Sequence, residues 1–334
     1  MTDVLTALSA EVKRAVAENS AGKVVVVYLG DNIYENGLPD GEKHPDEYRQ
    51  AVVRLNALVD VPRQTGARGI FVPGNHDWAR GRRDGWEAIR RQGRYLSAMA
   101  TQLDVDVELL PRDGCPGPEV VDIDDTLRMV ALDTQWWLQE GPKPLGEDST
   151  CATTSEEGIV ESLEEALENA GDRHVVVVAH HPPVTGGTHG GTWPFLEWVW
   201  PPWRMFERPY RWLGLYGQDL SSPRYAEMIA QLQTAFDAYP PLAFGGGHDH
   251  SLQVIEGKGP RFVLISGAAS EAKAVQAVSD PSFTSLYWKR AKGFMRLELM
   301  TDGRVRLVVS VVEDGPTSRE DFRLWLVDGG PSMP

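Results

Sequence analysis

The sequence predicts an α/β fold in which two β-sheets pack face to face with helices outside, all in a single domain over residues 1–334. Three observations carry this. The first half alternates helical-period segments with short β-branched apolar runs that stop at Gly or Pro, and the second half is dominated by strand-like runs. No internal repeat or low-complexity linker separates the two halves.

At the amino terminus Val4, Leu5, Leu8, Val12, Ala15 and Val16 share one face at helical spacing, which reads as a packed surface helix and not a signal peptide. Any secretion signal would lie upstream of Met1, so localisation is open. Lys23 to Leu29 is an apolar, β-branched run that stops at Gly30, the pattern of a strand buried on both faces. After a Gly/Pro/Asp loop, helical spacing resumes over 46–59, and the run Gly69 to Val72 stops at Pro73 and Gly74. Residues 84–103 read as a helix, and Glu119 to Ile123 with Leu127 to Leu132 as paired strands around Asp124 and Asp125. Thr154 and Glu157 form a capping box ahead of Ile159, Leu163, Ala166 and Leu167, and that helix leads into the strand His174 to Ala179. A helix over 223–239 follows, then short strands at Leu242 to Phe244, Leu252 to Ile255 and Phe262 to Ile265. The β-rich segment 251–327 includes a hairpin, Phe294 to Met300 with Val305 to Val312, turning at Thr301-Asp302-Gly303.

Composition narrows the function. With 42% hydrophobic and 24% charged residues the chain is of ordinary globular type. The excess of 48 acidic over 33 basic residues, without a basic run, argues against a nucleic-acid footprint. The apolar runs are strand-sized, far below the roughly 20 residues of a bilayer-spanning helix. Cys115 and Cys151 match no zinc knuckle; paired and reduced forms are both open.

The chemistry gathers where strands end. Gly30-Asp31-Asn32-Ile33-Tyr34 follows the first run, and Gly74-Asn75-His76-Asp77 the second. His180-His181-Pro182-Pro183 follows the third, and Gly245-Gly246-Gly247-His248-Asp249-His250 the fourth. Carboxyl ends of strands in α/β sheets are where ligands bind, so four such clusters can converge on one point. Imidazoles mixed with hard oxygen donors suit Fe, Mn, Zn or Ni rather than an all-sulfur zinc site or an all-oxygen calcium cage. Singly, each cluster has a plainer reading: Asp31 as a turn former, His180 and His181 as part of a rigid turn before two prolines.

From Leu29 to about Ile265 the segments GDNIY, GNHD, VVAH and GHDH resemble the motifs of the calcineurin-like metallophosphoesterases. GDNIY and VVAH are similar in form to the purple acid phosphatases within that superfamily. The resemblance implies a four-layer α/β/β/α sandwich of two mixed β-sheets flanked by helices. It also implies two divalent or trivalent transition metals, Fe, Mn or Zn. Asp31 would bridge them, Asn75, His180 and His248 would complete one position, and His250 with Tyr34 would serve the other. His76 would act on the phosphoryl group or the leaving oxygen, with Asp77 orienting its imidazole. Tyr34 has a second reading, packing over its loop; His181 reads as lying outside the ligand set or in a turn, and His189 as a solvated loop residue, with an approach to substrate as its second reading.

The family's opening Asp motif, which should precede the first helix, is absent here. The chain is therefore expected to lack its first strand and one metal-binding carboxylate, which leaves one metal as an alternative to two. Between the third and fourth motifs lies a Trp/Pro-rich insertion at about 184–220, with its aromatics from Trp193 to Tyr216. A self-packed cap, a lid over an organic leaving group and a membrane-interface contact are its three readings.

The expected function is hydrolysis of a small-molecule phosphate monoester or diester by in-line attack of metal-activated hydroxide. The alternative is a catalytically impaired or non-catalytic metal-stabilised binding protein that uses the insertion to hold a ligand or partner. The oligomeric state is open.

Overall fold

The structure, a computed structural model, describes residues 2–19, 23–146, 149–190 and 217–329. The aromatic stretch of the insertion, 191–216, lies outside the described residues, and so do the three readings of it.

Helix α1 (Asp3–Glu18) is capped by Thr2, whose side chain accepts from Leu5 N. Strand β1 (Val25–Tyr28) follows, then α2 (Pro45–Thr65), with Pro at its start and Gly66 closing it in the left-handed conformation. Next come β2 (Arg68–Phe71), α3 (Gly85–Leu103) and β3 (Val107–Leu109). β4 (Glu119–Asp122), β5 (Leu127–Ala131) and the short α4 (Gln135–Leu138) precede α5 (Glu156–Glu168) and β6 (His174–Val178). After the insertion come α6 (Pro223–Ala238), β7 (Ala243–Gly246), β8 (Leu252–Glu256), β9 (Phe262–Ser266) and β10 (Thr284–Lys289). β11 (Gly293–Leu299), β12 (Val305–Val311) and β13 (Arg319–Val327) close the chain.

A seven-stranded mixed sheet has the order β10-β8-β9-β7-β6-β5-β4, with β5, β6, β7 and β9 parallel. Facing it are a parallel sheet β1-β2-β3 and an antiparallel sheet β11-β12-β13. One core joins all three: Ile70 and Val72 from the first small sheet, Val305, Leu307 and Val309 from the second, and Val176, Val178, Val254 and Leu264 from the large one. On its other face, the large sheet is covered by helices through Val177, Ile159, Leu163, Tyr225, Met228 and Phe236. The expected layers are therefore present, with the second sheet divided.

Among the described residues β1 and β11 each pair on one side only. Helix α1 lies across both, packing Leu5 and Val12 with Val26 and Val61, and Val4 and Ala7 with Phe294 and Val312. Glu11 adds an ion pair to Arg296 on β11 at 2.7 Å. This position corrects the reading of β1 as a fully buried strand: only Val26 is buried, because the strand is an edge. No strand precedes β1 among the described residues.

One other expectation shifts, and one open alternative closes. The cap of α5 is Ser155, which accepts from Gly158 N, one residue beyond the expected Thr154. Cys115 and Cys151 are joined in a disulfide with Cα atoms 5.4 Å apart. Among the described residues no helix is long and apolar enough to cross a membrane.

Candidate metal centre

The loops after β1, β2, β6 and β7 meet, and glycine lets them approach. A Cβ on Gly30, whose φ is +89°, would stand 2.4 Å from His180 Nδ1, and one on Gly74 would stand 2.3 Å from Asp31 N. Asp31 itself is held at φ 56° and His248 at φ 57°, a left-handed conformation that non-glycine residues rarely adopt.

A first set of donors forms around His180. Its Nδ1 lies 2.8 Å from Leu29 O, a group that only accepts, so Nδ1 carries the proton and Nε2 offers a lone pair in the neutral ring. By the same logic His248 Nε2 donates to Gln218 O at 2.7 Å, which frees Nδ1. These two nitrogens face one another at 3.2 Å. Asn75 Oδ1 lies 3.0 Å and Asp31 Oδ1 3.4 Å from His180 Nε2. Four lone-pair atoms thus converge in a buried space, an arrangement that calls for a cation, either a proton or a metal. Burial alone would lower the His180 imidazole, but the Asp31 carboxylate more than offsets it and raises its pKa. Burial would likewise raise Asp31, yet His180 and His76 outweigh that and hold it well below the carboxylate range.

A second set shares Asp31. The Tyr34 hydroxyl donates to Asp31 Oδ2 at 3.0 Å and lies 3.1 Å from His250 Nε2. Burial and the Asp31 charge raise the phenol, while burial and Lys273 push His250 down to about 4, so its imidazole is neutral over most of the working pH range. Among the described residues this second set has three donors.

His76 stands beside both sets. Its backbone N–H donates to Asp31 Oδ1 at 3.0 Å, its ring packs on Tyr34 with centroids 4.2 Å apart, and its Nε2 lies 4.0 Å from Asp31 Oδ2. The expectation for Asp77 needs correction. His76 Nδ1 donates to Glu35 O at 2.7 Å, so a backbone carbonyl orients the ring. The Asp77 carboxylate points into the protein, where it accepts from Asn32 N, Asn32 Nδ2, Ile33 N and Gly74 N at 2.8 to 3.2 Å. It staples the first motif loop to the second. Burial and the Asp31 charge push it up to about 7 despite these donors.

All the sequence-derived site residues other than Asp77 therefore line one space. His181 also approaches: ligand atoms of His180, His181 and His248 lie within 4.8 Å of one another. Both its nitrogens are engaged, Nδ1 with Thr134 Oγ1 at 2.9 Å and Nε2 with Gln218 Oε1 at 2.8 Å, so it braces the set from outside. The sequence reading does not place His189, Asp219 or Gln218 at the site. His189, expected in solvent, stacks on His248 with centroids 3.9 Å apart and bonds Asp219 through Nδ1 at 2.7 Å. Gln218 holds His248 and His181 as described. No local motif marks any of them; the Gly-Thr-His-Gly-Gly context of His189 was the one available signal.

The donor chemistry fits transition metals, with imidazole, carboxylate, amide and phenol around a shared carboxylate. Comparison with known proteins points the same way. The family model for the calcineurin-like phosphoesterases matches residues 3–252. No curated protein matches the chain. A solved structure described as "GAP50 the anchor in the inner membrane complex of Plasmodium" is similar in fold, with a TM-score of 0.53 at 16% identity, covering 97% of this chain and 84% of that one.

Proposed function

Since the chain belongs to the calcineurin-like phosphoesterase family, we propose that it is a metal-dependent hydrolase of phosphate monoesters or diesters. The observation that carries the reading is the convergence of Asp31, Asn75, His180 and His248, joined through Asp31 to Tyr34 and His250. Asp31, Asn75, His180 and His248 would hold one metal; Asp31, Tyr34 and His250 would hold a second. When bound, these ions supply Lewis acidity and activation of water for in-line displacement at phosphorus.

The protein's own groups supply the rest. Asp31 offers its two carboxylate oxygens to the two donor sets and fixes their spacing. His76, with Nδ1–H committed to Glu35 O, presents Nε2 to the reacting group; as the imidazolium, protonated on both nitrogens, it binds a phosphoryl oxygen or delivers the Nε2 proton to the leaving oxygen and is left as the neutral Nδ1–H ring. Arg80, close to His76, and Lys273, close to His250, add positive charge that favours an anionic substrate.

The second reading, a metal-stabilised binding protein, is favoured by one observation: among the described residues the set around Tyr34 and His250 has three donors. The discriminating experiment is hydrolysis of p-nitrophenyl phosphate and bis(p-nitrophenyl) phosphate after reconstitution with iron, manganese or zinc. Chelator-sensitive turnover of either ester supports the enzyme. Metal-loaded protein that turns over neither would establish the binding protein in its place.

A further inference from the structure

Within the metal-binding reading, His250 has a requirement that the sequence motifs leave unmet. To serve as a ligand through Nε2, the nitrogen beside Tyr34, its ring must carry the proton on Nδ1. That nitrogen is buried and has no aligned hydrogen-bond partner. An N–H stranded in this way is costly, and metal-bound imidazoles regularly donate their second N–H to a carboxylate, carbonyl or water that fixes the ring. The carboxylate that faces it is Glu271, with Oε2 3.3 Å from His250 Nδ1. The connection is reinforced by the neighbouring chain: Lys273 N donates to His250 O at 2.6 Å, and Lys273 Nζ lies 3.6 Å from Glu271 Oε2. Glu271 is mainly exposed, at 62% of its side chain, so it is free to turn and align with Nδ1.

We infer that Glu271 is the positioning residue of the second metal position, holding His250 as the Nδ1–H tautomer with its Nε2 lone pair directed toward Tyr34 and Asp31. A set of three donors depends more on the aim of each than a set of four does. Lys273, paired with the same carboxylate, holds Glu271 near the ring. The residue does not itself ligate, since it lies on the far side of the imidazole from Nε2.

The inference rests on the proposed two-metal function, and metal titration of the full chain keeps the two apart. Stepwise affinities for manganese and zinc, with stoichiometry by elemental analysis, are measured for wild type, Glu271→Gln and Glu271→Ala. The expected result is unchanged first-step affinity and melting temperature in all three. Second-step affinity should fall about 10- to 100-fold in Glu271→Ala and less in Glu271→Gln, which keeps an oxygen acceptor. A wild type with two metals and variants with the same second-step affinity would overturn the role of Glu271 and leave the two-metal reading standing. A wild type that takes up one metal at most would overturn both. An equal loss at both steps, with a lowered melting temperature, would make Glu271 a general structural residue and also overturn the inference.

Discussion

Asp31 and His248, 217 positions apart in sequence, are both fixed in the left-handed backbone region, at φ 56° and 57°, and bring Oδ1 and Nδ1 to the same imidazole nitrogen of His180. Backbone strain of this kind costs on the order of 1–3 kcal/mol per residue and persists where surrounding contacts enforce it. Asparagine tolerates the same conformation, so Asp31→Asn removes the charge without removing the backbone preference. The variant is expected to fold and to lose metal at both positions. Elemental analysis beside a melting curve checks this; full metal content in Asp31→Asn would remove Asp31 from the ligand set.

His76→Ala should behave differently. The His76 side chain contributes no lone pair to the space around His180, so metal content should stay at the wild-type level. Turnover should drop by about 10²- to 10⁴-fold, the usual range for a lost acid or base. Unchanged kcat in the alanine variant would rule out its catalytic role.

Asp77 has a structural task, and its replacement should reveal that. Asp77→Ala leaves the N–H groups of Asn32, Ile33 and Gly74 without their acceptor in a buried space. Unsatisfied buried donors cost about 1–3 kcal/mol each, so a stability loss of about 3 kcal/mol or more is expected in urea unfolding. Loss of activity with wild-type stability would instead restore the expectation that Asp77 orients His76.

That exchange of roles shows where the sequence was legible. The four strand-end clusters could be located because the apolar runs stop abruptly, at Gly30, at Pro73-Gly74, at His180-His181-Pro182-Pro183 and at Gly245, and each cluster holds donor side chains at short spacing. Which side chain turns toward the site depends on hydrogen bonds made far away in the chain. His76 is oriented by Glu35 O and not by its neighbour Asp77. His189 reads as a solvated loop residue and Gln218 carries no signal, because they reach His248 from the two ends of the insertion, and only tertiary packing defines that contact. In the fold, β3 is a three-residue strand next to Asp104 and Asp106, and β13 interleaves charged residues with apolar ones; neither offered the apolar run that marked the buried strands.

The disulfide also required the structure. Cys115 and Cys151 enclose a separation of 36 residues that includes β4, β5 and α4. By chain entropy such a link stabilises the fold by up to roughly 4 kcal/mol, with smaller measured values common. The Cys115→Ser, Cys151→Ser double variant should lose about 2–4 kcal/mol in denaturant unfolding and retain its metal. A reductant should lower the melting temperature of the wild type alone. Equal sensitivity of both proteins to reductant would mean that the bond is not formed.

The last expectation concerns pH and a carboxyl outside the metal centre. Asp133 is fully buried; its Oδ2 accepts from Trp78 Nε1 at 2.7 Å and its Oδ1 from Gln135 N at 3.0 Å and Trp136 N at 3.3 Å. Burial raises its pKa from 3.8 to about 7, those three donors oppose the shift, and the neighbouring Asp77 charge adds to it. Lys143 is the cationic group that senses Asp133, and its half-burial already lowers it to about 8. Because the folded-state pKa lies above the unfolded value, the folded protein binds the proton more tightly. The stability contributed by Asp133 is therefore complete below about pH 4 and is lost as pH rises through about 7. The amplitude is at most about 4 kcal/mol for a change of this size. Asp133→Asn cannot titrate, so subtracting its stability from that of the wild type isolates the carboxyl from Asp77 and the histidines. In metal-free protein, wild-type stability relative to Asp133→Asn should be higher at pH 5 than at pH 8. Urea unfolding at the two pH values measures the difference; a gap that does not change with pH would mean that Asp133 keeps an ordinary pKa in the fold.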